Sequence, residues 1–90
     1  MGQPNVVWKF PLRLSGGAAQ PIEMPAGATV VLVAMQDDDP TLWVRCDPRA
    51  PRTRREFRVV GTGHTFDGDL HHVGSCIDGP FVWHVLEGRT

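Results

Sequence analysis

Apolar and polar positions alternate along most of the chain, and a period of two predicts strands. In Val6-Val7-Trp8-Lys9-Phe10-Pro11-Leu12, the residues Val6, Trp8, Phe10 and Leu12 fall on one side and Val7, Lys9 and Pro11 on the other. This is a strand, with Pro11 at an edge or at its end, because proline cannot donate to a ladder. Ser15-Gly16-Gly17-Ala18-Ala19 reads as a turn. Gln20-Pro21-Ile22-Glu23-Met24-Pro25 is too short and proline-rich for a helix but suits a brief strand. After a turn at Ala26-Gly27-Ala28, the run Thr29-Val30-Val31-Leu32-Val33-Ala34-Met35-Gln36 is the most continuous apolar stretch, stopped by Asp37-Asp38-Asp39-Pro40. Its β-branched content predicts a central strand buried on both faces and the best core candidate.

Alternation resumes in Thr41-Leu42-Trp43-Val44-Arg45-Cys46-Asp47, which places Leu42, Val44 and Cys46 on a core face and Thr41, Trp43, Arg45 and Asp47 on a wetter one. Beyond the loop Pro48-Arg49-Ala50-Pro51-Arg52-Thr53, the segment Arg54-Arg55-Glu56-Phe57-Arg58-Val59-Val60 alternates too, and the two strands are expected to pair as a hairpin. Gly61-Thr62-Gly63-His64 breaks the strand and leads into a polar loop through Asp69. A further strand is expected over Leu70–Ile77. Asp78-Gly79, the strongest hairpin signal, joins it to a last strand in Pro80–Glu87. Six or seven short strands without a helix predict an all-β single domain over residues 1–90, a small antiparallel barrel or sandwich.

Composition agrees: 10 Gly and 8 Pro in 90 residues are more punctuation than helices tolerate. The net charge of −1 gives no long-range attraction for long nucleic acid or an anionic membrane. No stretch approaches the roughly 18 to 20 apolar residues of a membrane span, and the first residues lack a basic segment followed by an apolar run. A cytoplasmic chain is expected. Cys46 and Cys76 lie too far apart for paired zinc ligands and too few for a disulfide scaffold, so both read as packed thiols.

The charge, neutral in sum, is strongly localised. Arg45, Arg49, Arg52, Arg54, Arg55 and Arg58 are six guanidinium groups within fourteen residues. Guanidinium forks onto phosphate or carboxylate and stacks on aromatic planes, so the cluster suits a phosphate-bearing ligand; a solvated hairpin tip balanced by Asp37, Asp38, Asp39 and Asp47 is the plain alternative. Arg45 and Arg58 are the best candidates because strand positions point predictably. Trp8 and Trp83 read as core, whereas Trp43 shares its face with Arg45, a combination suited to stacking a base or to a subunit contact. Gly61-Thr62-Gly63-His64 offers backbone N–H groups, a hydroxyl and an imidazole to an anion, although it lacks the lysine and the following helix of a phosphate loop. His71 and His72, adjacent in a strand, point to opposite faces, and no HxH or HExxH spacing accompanies them, His64 or His84, so no metal or cofactor is read. Neither the cysteines nor Ser15 and Ser75 carry a nucleophile signature.

Taken together, Val7-Trp8-Lys9-Phe10-Pro11-Leu12, Ile22-Glu23-Met24-Pro25-Ala26-Gly27-Ala28, Leu42-Trp43-Val44 with Asp47-Pro48, Phe57-Arg58-Val59-Val60-Gly61-Thr62-Gly63-His64 and Phe81-Val82-Trp83-His84-Val85 resemble a family of small proteins encoded by bacteriophages and prophages. Such proteins are similar in style to the sponges that sequester nucleotide second messengers of host defence. The resemblance implies a homo-oligomer with ligand sites between protomers, binding without turnover in the cytoplasm of an infected bacterium. The expected function is therefore binding of a nucleotide-like small molecule through Arg45 and Arg58, stacking by Trp43 or Trp8, and polar contacts from Gly61, Thr62, Gly63 and His64. The alternative is a protein-interaction module that blocks a host defence protein. A nucleotide-cleaving enzyme with His64 as its acid or base comes third.

Overall fold

The computed structural model describes residues 4–88 and contains seven strands: β1 (Val6–Pro11), β2 (Gln20–Pro25), β3 (Thr29–Gln36), β4 (Asp39–Cys46), β5 (Arg52–Gly61), β6 (His71–Asp78) and β7 (Phe81–Glu87). They form two antiparallel sheets, ordered β1-β4-β3 and β2-β5-β7-β6, with no helix among the described residues. The architecture is the sandwich form of the expected all-β domain, not a closed barrel.

The alternating residues meet between the sheets, as the period of two requires. Leu42 and Val44 of β4, Phe57 of β5, Val85 of β7, Met24 of β2 and Leu12 just past β1 are all essentially inaccessible to water. Trp8, Phe10 and Trp83 pack partly buried against this core. Cys46 and Cys76 are buried and free. Fully burying side chains of this size stabilises by about 1.5–3 kcal/mol each, which is the principal force holding the sheets together.

Two turns set the hairpin registers. Asp37 and Asp38 have φ of 50° and 70° and join Gln36 to Asp39 in the geometry of a type I′ turn. Gly79, with φ of 56°, and Pro80 join Asp78 to Phe81, the pattern of a type II′ turn, so β7 starts at Phe81 rather than Pro80.

Two expectations are corrected. The apolar run of β3 is an edge strand, not a central one. Its hairpin with β4 occupies one side of β4 while β1 takes the other, and a bulge between Val30 and Leu32 turns Val31 and Leu32 outward, 55% and 51% exposed. The central strand is β4, in which even Thr41 and Pro40 are buried. Nor do β4 and β5 form a hairpin: β5 pairs with β2 and β7 in the other sheet. Residues 47–51 form a local turn that redirects the chain. The Asp47 carboxylate accepts from the Arg49 N–H, the Asp47 carbonyl accepts from the Ala50 N–H, and Arg52 donates to the carbonyls of Pro48 and Ala50.

Candidate functional site

β5 is longer than β2. Pairing with β2 ends at Phe57, and from Arg58 to Gly61 only β7 lies beside it. Along this end of β5, the loop around Ser15–Gly17 and the loop after Gly61 leave a cleft of about 720 Å³. Arg58 lines it and donates from Nη1 to the Gly17 carbonyl at 2.9 Å. Among the described residues no carboxylate lies within ion-pair distance of Arg58, in contrast to Arg49, Arg54 and Arg55. A guanidinium held by one carbonyl keeps donors and charge for an anion.

Trp83 closes the inner side of the cleft. Its ring stacks on Phe81 with centroids 5.8 Å apart, and its Nε1–H donates to Asp78 at 3.2 Å. Gly61 lies between the Trp83 and His64 rings, where a Cβ would meet atoms of both at 3.2–3.3 Å, so a side chain there would displace the wall. Asp67 adds a carboxylate to the lining, opposite in sign to Arg58.

A second chamber of about 290 Å³ shares Val60, Gly61, His64 and Phe66 with the cleft and continues over His72, His84 and Thr62. Beside it runs a continuous chain of hydrogen bonds: Thr62 Oγ1 to His84 Nε2 at 2.8 Å, His84 Nδ1 to Ser75 Oγ at 2.7 Å, and Ser75 Oγ to His72 Nε2 at 2.8 Å. The β6–β7 register builds it, because Ser75 lies opposite His84, and the bulge between His72 and Gly74 brings His72 onto the same face.

The structure divides the eight residues singled out in the sequence. Arg58, Gly61 and His64 line the cleft, and Thr62 and Gly63 line the adjoining chamber. Trp8 lies in the other sheet, packed on the core under the Arg52 guanidinium at 5.2 Å. Trp43 and Arg45 stand on the outer face of that other sheet, beside Lys9 and Val7 of β1. Two of the groups expected to cradle an anion at Gly61–His64 are engaged within the fold. Gly63, with φ of 90°, makes a turn in which the His64 N–H donates to the Gly61 carbonyl, and the Thr62 hydroxyl pairs with His84, so neither group is free.

The sequence reading missed Trp83 as cleft lining and the Ser75–His84 pair. The second was within reach: counting back from the Gly79-Pro80 turn sets Ser75 opposite His84. His71 does face away from His72, toward Glu87 at 3.6 Å. No group of three or more His, Cys, Asp or Glu among the described residues is arranged to hold a metal ion.

No curated protein and no solved structure matches the chain. Residues 4–90, almost the full length and including every strand of both sheets and the cleft, match the Domain of unknown function (DUF7352). The chain therefore belongs to the DUF7352 family.

Proposed function

We propose that the chain binds a phosphorylated small molecule of the nucleotide class in the larger cleft and holds it without turnover. The observation that carries this reading is Arg58: a partly buried guanidinium without a carboxylate partner among the described residues, on the wall of a cleft whose volume of about 720 Å³ suits a small ligand. The ring of Trp83 and the imidazole of His64 line the same space and supply flat surfaces for a base, while Asp67 supplies an acceptor for ligand hydroxyls. Sequestration of a defence nucleotide in an infected bacterium, the role implied by the resemblance to phage proteins, is one use of such a site. In an oligomer, Trp43 and Arg45 of a second copy would complete it.

Native mass spectrometry of the protein from bacteria producing defence nucleotides, set against the same sample denatured, tests this reading. An intact nucleotide released on denaturation supports it. Arg58→Ala should then weaken binding roughly 10- to 100-fold, the effect of losing charge-assisted hydrogen bonds of about 1.5–3 kcal/mol. Unchanged affinity in that variant, or no mass shift with any nucleotide of a panel, overturns it.

A second reading has its own observation. On the outer face of the three-stranded sheet, Val7, Val31 and Leu32 are each more than half exposed around Trp43, with Lys9 and Arg45 beside them. An apolar face with basic residues suits a protein partner, and retention of a host protein by a chain that binds no nucleotide would favour that role.

A further inference from the structure

The geometry points to Ser75 as a nucleophile that transfers the acyl group of small, uncharged carboxylic esters, with His84 as its base. The inference goes beyond the ligand proposed for the larger cleft and concerns the chamber beside it. A serine becomes reactive when an imidazole within hydrogen-bond reach takes its proton and a third group orients that imidazole. All three parts are present: Ser75 Oγ lies 2.7 Å from His84 Nδ1, and His84 Nε2 lies 2.8 Å from the Thr62 hydroxyl.

Donor and acceptor counting defines the reactive state. When His72 donates its Nε2–H to Ser75 Oγ, across 2.8 Å, the serine hydrogen points to His84 Nδ1. His84 then carries its own hydrogen on Nε2 and donates it to Thr62. In this tautomer every link of the chain is satisfied, and the base is unprotonated at the atom that faces Ser75.

The reaction follows from these positions. Ser75 Oγ attacks the ester carbonyl carbon while its proton passes to His84 Nδ1. The tetrahedral adduct expels the alkoxide, which takes that proton from His84 and leaves as alcohol. Water then attacks the acyl-serine, giving its proton to His84, and collapse releases the acid and restores Ser75. The sum is ester plus water to acid plus alcohol, with no other reactant.

Ser75 is not itself among the residues lining the chamber, but its hydrogen-bond partners His72 and His84 are, so the hydroxyl borders that space and its lining bears on the substrate. Val60, Phe66 and Leu86 make much of its lining apolar, and its volume of about 290 Å³ admits a short acyl chain. Arg58 is not among its lining residues, so a phosphoryl group lacks a cationic partner there.

The test uses p-nitrophenyl butyrate, with acid quenching and peptide mass mapping. The expected result is a butyryl group on Ser75 of the folded protein. Ser75→Ala should abolish that adduct, and His84→Gln should slow its formation on the order of 100-fold, the usual scale of general-base assistance. Ser75 is exposed, so its replacement by Ala leaves the core intact, and circular dichroism checks both variants. No adduct at Ser75, or equal labelling in His84→Gln, overturns the assignment. Nucleotide binding in the larger cleft is scored separately by mass shift, so either proposal can fail while the other stands.

Discussion

Arg55 and Glu87 are the most tightly joined charges in the protein. The Arg55 guanidinium meets the carboxylate through two contacts of 2.6 and 2.8 Å and also donates to the Ala28 carbonyl at 2.7 Å. Both side chains are largely buried, and the hydrogen bonds to Glu87 raise the Arg55 pKa against the opposing effect of burial. Removing one partner of such a pair strands the other charge, so Glu87→Ala should cost about 3–5 kcal/mol of unfolding free energy in a urea titration. A loss below about 1 kcal/mol would show that the pair contributes no more than an exposed one. Cys76 gives a pH prediction. Burial, aided by the nearby Asp78 charge, pushes its thiol pKa above the ordinary 9.0. The folded chain then holds that proton more tightly than the unfolded one. Its contribution is intact below the ordinary thiol range and is lost as pH rises through the raised value. Urea midpoints at about pH 8 and about pH 10 should fall less between the two conditions in Cys76→Ala than in the parent. Neither role was legible in the sequence. Arg55 looked like one more member of an arginine cluster, because its partner lies 32 positions away, and nothing local announces that β5 pairs with β7.

At the scale of elements, the strands were readable and their neighbours were not. Alternation located β1, β4 and β5 to within a few residues, because burying every second side chain is a local property of the sequence, and the short, proline-rich Gln20–Pro25 segment located β2. The place of β3 was misjudged, since a long apolar run signals burial on two faces only when the bulge that turns Val31 and Leu32 outward is ignored. β3 and β6 come from different sheets and approach closely at Gly74, where an added Cβ would lie 2.5 Å from Val33 Cγ2. Gly74→Ala therefore forces the strands apart, and thermal unfolding should report a loss of about 1–3 kcal/mol, the usual effect of overpacking. Val33→Ala in the same chain should restore much of it, since it removes the clashing Cγ2 methyl and leaves only the Cβ contact at 3.0 Å. A double variant as unstable as Gly74→Ala would place the strain elsewhere.

On the scale of the whole molecule, the cleft exists because the two sheets have unequal connections. Residues 47–51 redirect the chain between the sheets, β2 covers only the first six of the ten residues of β5, and the loops fill part of the space left over. Arg58, Gly61 and His64 could be picked out from residue type and spacing, yet their separation from Trp8, Trp43 and Arg45 depends on which sheet each strand joins. A ligand confined to the folded cleft should raise stability by about 2.7 kcal/mol at a hundredfold excess over its Kd, and calorimetry with each nucleotide tests that linkage. No rise at saturating concentrations would locate binding elsewhere.

The outermost strands share one further property. β1 carries Pro11, β2 carries Pro21 and Pro25, and β3 and β6 are each interrupted by a bulge. Prolines and bulges remove the straight row of backbone donors and acceptors onto which another chain would zip. Copies of this protein that associate therefore meet through side-chain faces rather than by extending a ladder, and the fold resists templated fibre growth along all four of its borders.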